Sequence, residues 1–213
     1  MDNAKGVDTP LTTELTQLGD NRPMMNAWDA KVYRRAVARI NFMAQDRCDL
    51  SSAVKVLSQS MAAPREGDEG MLKRAIRYIK RYPRSYHDMS YQQEGGQLTI
   101  MVDSDWAGEI TTRRSTSGGL ILHGKHLVNH WSKLQATIAL SSGEAELNSA
   151  VKGVIEGIGI YELIKEWAIY DELVMTLKTD SSAAKGTLTR RGSGQITHLT
   201  AKQLWVQEAL HNY

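Results

Sequence analysis

At 213 residues, 41% of them hydrophobic and 23% charged, the chain is long enough to bury a sizeable core and has the composition of an ordinary soluble globular protein. A net charge of +2 neither requires nor excludes a nucleic-acid partner. One cysteine, Cys48, excludes an internal disulfide and suits a reducing compartment. No apolar run approaches the ~18 residues of a membrane span, and the N-terminus lacks the apolar core of a signal peptide, so the expected location is intracellular, cytoplasmic or nuclear, and not secreted.

Residues 1–28 are polar, carry Pro10 and Pro23 and show little periodicity; they read as an extended lead-in with a short helix near Leu15 to Leu18. From Asp29 the pattern turns helical. Val32, Ala36, Val37, Ile40 and Ala44 share a face, with Tyr33, Arg34 and Arg35 off it. Asp49 and Ser51 are candidate caps for a second helix carrying Val54, Leu57 and Met61 and stopped by Pro64. Gly67-Asp68 opens a third, with Leu72, Ala75, Ile76 and Ile79, stopped by Pro83. Three short helices with brief connections predict a small all-α unit over 29–83. Lys73 to Arg84 holds six basic residues and no acid. Such a run is either a solvated face or a surface that meets phosphates. Both readings stand open; the second singles out Lys73 and Arg77.

Residues 84–96 are polar and end in Gly95-Gly96, a linker or hairpin turn. Beyond them Leu98, Ile100 and Val102 alternate with Thr99, Met101 and Asp103, the period-two signature of a strand over 97–103. Residues 118–124 and 126–132 read as two strands joined at Gly124-Lys125. Ser141 and Glu144 match a capping box for a helix running to about Trp167, with Leu147, Ala150, Val151, Val154, Ile158, Tyr161 and Leu163 on its buried side. Gly153, Gly157 and Gly159 each weaken that helix by roughly 1 kcal/mol relative to Ala, unless they serve a close approach to the sheet. A fourth strand over 173–179, a short helix from Ser181 to about Leu188, a basic loop from Thr189 to Gly194 and a last helix from Thr197-His198 to about Leu210 complete the order β-β-β-α-β-α-α. That order predicts an α/β unit: a mixed sheet with packed helices.

Three acids stand at element ends: Asp103 after the first strand, Glu146 at the head of the long helix and Asp180 after the fourth strand. Acids at such places are common as caps and turn residues. Two strand ends and one helix start can also converge to bind divalent cations.

Several stretches, in order, resemble the ribonuclease H domain of copia-type retrotransposon polyproteins. They are Val102-Asp-Ser-Asp-Trp-Ala-Gly-Glu109, Thr112-Arg-Arg-Ser-Thr-Ser-Gly118, His130-Trp-Ser-Lys133, Ile138-Ala-Leu-Ser-Ser-Gly-Glu-Ala-Glu146 and Thr179-Asp-Ser-Ser-Ala-Ala184. Tyr33 to Arg47 and Lys73 to Lys80 resemble the thumb and connection segment that precedes the nuclease, and Lys5-Gly-Val-Asp-Thr-Pro10 the stretch after the polymerase palm. The resemblance implies a ribonuclease H-like domain over 97–213, reached by a linker at 84–96 from a thumb/connection unit over 29–83. It implies metal-dependent hydrolysis of the RNA strand of RNA–DNA hybrids. Asp103, Glu146 and Asp180 are the implied catalytic and metal-binding acids, with two Mg²⁺ or Mn²⁺ ions as cofactors. The implied partners are the hybrid and an upstream polymerase domain of the same polyprotein, with no membrane. Asp105 and Glu144 sit in the same motifs but are not the assigned ligands. Ser141 and Ser142 are expected to reach 2′-hydroxyls, and Arg113 and Arg114 to meet phosphates, although a solvated turn explains the two arginines as well. By resemblance the family domain continues with a fifth strand and a last helix bearing a fourth acid, which Glu208 does not match. The chain is therefore expected to be truncated and its activity weakened, and a catalytically silent nucleic-acid-binding remnant is the alternative.

Overall fold

A computed structural model of the chain describes residues 5–12, 21–92, 96–190 and 201–212, with side chains in the last stretch described from 205 to 210. The expectations for a helix near Leu15 to Leu18, for Gly95, for the loop beyond Arg190 and for a helix start at Thr197-His198 lie outside these residues. Two compact units divide the chain, residues 1–86 and 87–213, and each has its own apolar core.

The first unit contains helices α1 (Ala27–Met43), α2 (Ser51–Gln59) and α3 (Asp68–Arg81), with a single 3₁₀ turn, Cys48–Leu50, leading into α2. Asn26 caps α1: its side chain accepts the Asp29 N–H at 2.9 Å. The buried residues of α1 are Ala30, Tyr33, Val37 and Ile40, continued by Ala44 beyond its end. This reverses the expected placing of Val32 and Tyr33, for Val32 is 46% exposed and Tyr33 only 2%. The steps 30, 33, 37, 40, 44 follow one stripe of the helix. Tyr33 can occupy it because its hydroxyl donates to the Leu57 carbonyl at 2.8 Å, leaving no buried polar atom unpaired.

Asp49 likewise does not cap α2, which has no side-chain cap. Its carboxylate takes two bonds from the Arg47 guanidinium, at 2.9 and 2.6 Å, and one from the Tyr78 hydroxyl at 2.8 Å. Those bonds, Arg47 foremost, outweigh its partial burial and hold its pKa below the usual range. Helix α3 opens where expected, behind a left-handed Gly67 (φ 96°). The buried Asp68 carboxylate accepts the Arg65 N–H at 2.9 Å and pairs with Arg22 at 2.7 Å.

The second unit is mixed α/β. Its strands are β1 (Gln97–Asp105), β2 (Thr116–His123), β3 (His126–Leu134) and β4 (Val174–Lys178), and its helices are α4 (Ser142–Glu166), α5 (Ser182–Leu188) and α6 (Ala201–Asn212). The sheet order is β3-β2-β1-β4, antiparallel except for the parallel pair β1–β4, and α4 carries the chain across from β3 at one edge to β4 at the other. Strand β1 runs two residues past the expected end, because pairing with β2 continues to Asp105 opposite Thr116. Gly124, with φ 59°, makes the β2–β3 turn.

Leu98, Ile100 and Val102 of β1 form the core with Leu147, Ala150, Val151 and Val154 of α4. Helix α4 lies so close to the sheet that a Cβ on Gly153 would fall 2.5 Å from Val102 Cγ1, and one on Gly157 would overlap Ile100 Cδ1. These two glycines therefore serve the close approach, whereas a Cβ on Gly159 would meet nothing within 4 Å. Farther along, Ile164 is buried and Leu163 is exposed, contrary to the expected face. The glycine stripe sets the phase of the helix, and 157 plus seven brings 164 back toward the sheet.

Two opposite outcomes follow for glycine substitutions. Gly157→Ala should lower unfolding free energy by about 1–3 kcal/mol through overpacking. Gly159→Ala should raise it by up to about 1 kcal/mol through helix propensity alone. Urea denaturation of both variants measures this; a loss at both positions would contradict the packing described.

Candidate metal and nucleic-acid site

Asp103 sits near the end of β1, where its backbone pairs with Gly118 of β2. Asp180 lies two residues past the end of β4, the parallel neighbour of β1. Two parallel strands side by side end at the same rim of a sheet, so their trailing residues are brought together. Glu146 comes from the first turns of α4, which begins over that rim. Its start is fixed by the Ser141 hydroxyl, which accepts the Glu144 N–H at 3.1 Å. The Glu144 carboxylate reaches back, as a capping box requires, but bonds the Leu140 N–H at 2.8 Å. Buried Gln135, just past β3, also ties the helix down: its amide donates to the Ala145 carbonyl at 2.9 Å and to the Ser117 hydroxyl at 3.0 Å.

The result is a cluster in which one carboxylate oxygen from each of Asp103, Glu146 and Asp180 lies within 4.8 Å of the other two. Asp103 and Asp180 are exposed; Glu146 is partly buried, with its Oε2 sealed from solvent and without a hydrogen-bond partner. Burial, and then the charges of Asp103 and Asp180, push the Glu146 pKa up, while the nearby Ser104 hydroxyl pulls the other way. A buried, unpartnered carboxylate oxygen on one member of a three-carboxylate cluster is a mismatch that a hard divalent cation would resolve, so the donor set suits such a cation. The two neighbouring acids have other tasks. Asp105 accepts the Thr116 N–H and packs on Gly108, and Glu144 is spent on the helix start.

The remaining sequence candidates are spread out. Ser142 is exposed beside the capping Ser141. Arg113, exposed and left-handed at φ 57°, and half-buried Arg114 lie on a turn held by Glu109, whose carbonyl accepts the Arg113 N–H at 2.9 Å. In the first unit Lys73 is exposed, but much of the α3 basic face is engaged by the lead-in. Arg77 donates to the Lys5 carbonyl at 2.6 Å, Arg74 to the Thr9 hydroxyl at 2.7 Å, and Arg81 pairs with Asp8 at 2.9 Å.

Ser149 was not singled out from the sequence. It is fully buried, and its hydroxyl bonds the Asp103 carbonyl at 2.7 Å and the Gly118 carbonyl at 3.3 Å, pinning α4 beside the site. A serine between Leu147 and Ala150, on the helix face expected to be buried, is the signal that could have marked it.

Comparison with known proteins finds relatives among transposon polyproteins. The chain is 34% identical over 171 residues to the "Retrovirus-related Pol polyprotein from transposon RE2" of Arabidopsis thaliana, 78% of this chain but 11% of that protein. It is 32% identical over 146 residues to the "Uncharacterized mitochondrial protein AtMg00810" of the same plant, 68% of this chain and 58% of that protein. A Plasmopara viticola protein named "Secreted RxLR effector protein 161" is 36% identical over 128 residues, 59% of this chain and 89% of that protein. The chain thus spans about a tenth of the RE2 polyprotein and somewhat over half of AtMg00810. No family profile and no solved structure matches. Among the described residues no helix is long and apolar enough to cross a membrane.

The raised Glu146 pKa carries a stability consequence. The folded state holds that proton more tightly than the unfolded state, so Glu146 adds stability below its unfolded pKa and loses it as pH rises through the folded value. Without divalent cations, melting temperature should fall as pH rises between those two values, and Glu146→Gln should remove that part of the pH dependence. Millimolar Mn²⁺ should raise the melting temperature of the native chain near neutral pH and leave the variant almost unmoved. Calorimetry at several pH values, with and without Mn²⁺, reads both effects.

Proposed function

With homologues among retrotransposon Pol polyproteins, the chain is of retroelement Pol origin, and we propose that it hydrolyses the RNA strand of RNA–DNA hybrids in the manner of a ribonuclease H. The observation that carries this reading is the convergence of Asp103, Glu146 and Asp180 from three separate elements, with one carboxylate oxygen buried and unpartnered. A three-acid cluster at a sheet rim suits two-ion phosphodiester hydrolysis better than a structural role, since the repulsion and burial it entails oppose folding. Bound there, two Mg²⁺ or Mn²⁺ ions would supply an activated water and charge stabilisation for the leaving oxygen.

The other parts of the reading belong to the chain's own side chains. Asp103, Glu146 and Asp180 would hold the cations, setting the place of the scissile phosphate. Ser141 and Ser142, at the exposed start of α4, face the groove where 2′-hydroxyls distinguish RNA from DNA. Arg113 and Arg114 meet phosphates flanking the cleaved one. In the thumb-like unit Lys73 offers an exposed cation to the duplex, and Arg77 does so once the lead-in yields its hold. The upstream partner in this reading is a polymerase domain of the same polyprotein.

Incubation of the purified chain with an end-labelled RNA–DNA hybrid and Mg²⁺ or Mn²⁺ should release shortened RNA and leave the DNA intact. Asp103→Asn should slow this by roughly three orders of magnitude, the scale of removing metal-assisted charge stabilisation. Hybrid binding with no cleavage in any divalent cation would sink the nuclease and leave the silent nucleic-acid-binding remnant. Lys73→Glu should weaken binding at every sequence and lower the salt slope by about one; an unchanged slope would return α3 to a solvated face.

A further inference from the structure

The turn after β1 presents a large aromatic side chain a few residues beyond Asp103. Trp106 follows Asp103 by three residues and is 56% exposed. It is not a loose surface residue. Its indole N–H donates to the Ala139 carbonyl at 3.2 Å, fastening the ring to the segment that leads into α4, the helix carrying Glu146. The turn beneath it is held from several sides. Asp105 bonds the Thr116 N–H, Ala107 adopts φ 53° with its N–H on the buried Ser115 hydroxyl at 3.0 Å, and Gly108 leaves room for the Asp105 carboxylate. A non-glycine residue in the left-handed region costs free energy that only its surroundings can offset. The elements that bring Asp103 and Glu146 together are thus the ones that hold the Trp106 ring in place with one part turned to solvent. Ile138 and Leu140, on either side of the Ala139 it grips, are 54% and 73% exposed, so three large apolar side chains meet solvent on the turn after β1 and the approach to α4.

Apolar side chains held at the surface on the segments that flank two of the acids are the material of a binding surface. The neighbouring groups say for which ligand. Carboxylates that suit a divalent cation call for a phosphate, and exposed Arg113 on the same β1–β2 connection adds positive charge. A ligand that offers phosphate to the cation and arginine and an apolar, flat or ribose face to the indole is a nucleic-acid strand.

We propose that Trp106, with Leu140 and Ile138 beside it, is the platform on which a sugar-base face of the nucleic acid rests as its phosphate enters the three-acid site. This rests on the ribonuclease reading for the location of the phosphate, but its own content is a binding surface. Trp106 is a positioning residue: it sets where the strand lies and performs no bond-making.

Fluorescence anisotropy of the full chain with a fluorescein-labelled RNA–DNA hybrid, in an Asp103→Asn background that blocks cleavage, provides the test. Trp106→Ala should weaken binding about five- to hundredfold, the range for losing one aromatic stacking partner, and Trp106→Phe should restore most of it. An otherwise native Trp106→Ala chain should keep its Mn²⁺-induced rise in melting temperature, which a merely structural role would not spare. Equal affinities for Trp106→Ala and its parent would overturn the platform, and so would loss of the Mn²⁺ response together with affinity. If the native chain binds hybrid in a Trp106-dependent way but never cleaves, the ribonuclease reading fails and the platform stands. If it binds no hybrid at all, both fall.

Discussion

The approach of helix α4 to strand β1 is the constraint on which the second unit depends. Two glycines one turn apart, Gly153 and Gly157, let the helix backbone settle onto Val102 and Ile100 where any side chain would hold it off. Close packing then buries Leu147, Ala150, Val151 and Val154 against Leu98, Ile100 and Val102. Because α4 is also the crossover from β3 to β4, its depth and phase decide where its first turns end up over the sheet rim. Ser149 and Gln135 complete the fixation, each tying the early turns of the helix to the sheet by hydrogen bonds, buried at Gln135 and partly buried at Ser149.

That fixation works against electrostatics. Three carboxylates are brought within 4.8 Å, one of them with an oxygen shut off from solvent. In isolation the arrangement opposes folding, and the upward pull on the Glu146 pKa expresses the cost. The close packing of α4 on the sheet is what holds the three acids in one place against that repulsion. The same rigidity extends to the turn after β1, where Asp105, Ala107 and Ser115 hold Trp106 against the helix entry.

The first unit treats charge differently. There the basic side chains of α3 find oxygen partners within the chain: Arg77 on the Lys5 carbonyl, Arg74 on the Thr9 hydroxyl, and Arg81 on Asp8. An exposed pair such as Arg81–Asp8 contributes little to stability, so these contacts are weak enough for a polyanion to displace. Their presence nevertheless lowers the number of cations that this face offers without rearrangement, and it distinguishes Lys73 from Arg74, Arg77 and Arg81.

Much of this could be read from residue order alone. Period-two alternation located β1, a hairpin signal located β2 and β3, and the Ser141–Glu144 pair marked the start of α4, because these are local interactions between residues a few positions apart. The three acids were legible as ends of elements. Less was legible where the deciding contact is distant in sequence. Tyr33 is buried because Leu57 offers a carbonyl 24 residues away; Asp49 leaves its cap position for Arg47 and Tyr78; Ile164 replaces Leu163 because glycines seven and eleven residues earlier set the helix phase. Whether Asp103, Glu146 and Asp180 were caps or one cluster was likewise undecided by spacing. Only the parallel pairing of β1 with β4 and the depth of α4 brought them together, since a shared ligand site is a property of the folded sheet and not of any single element.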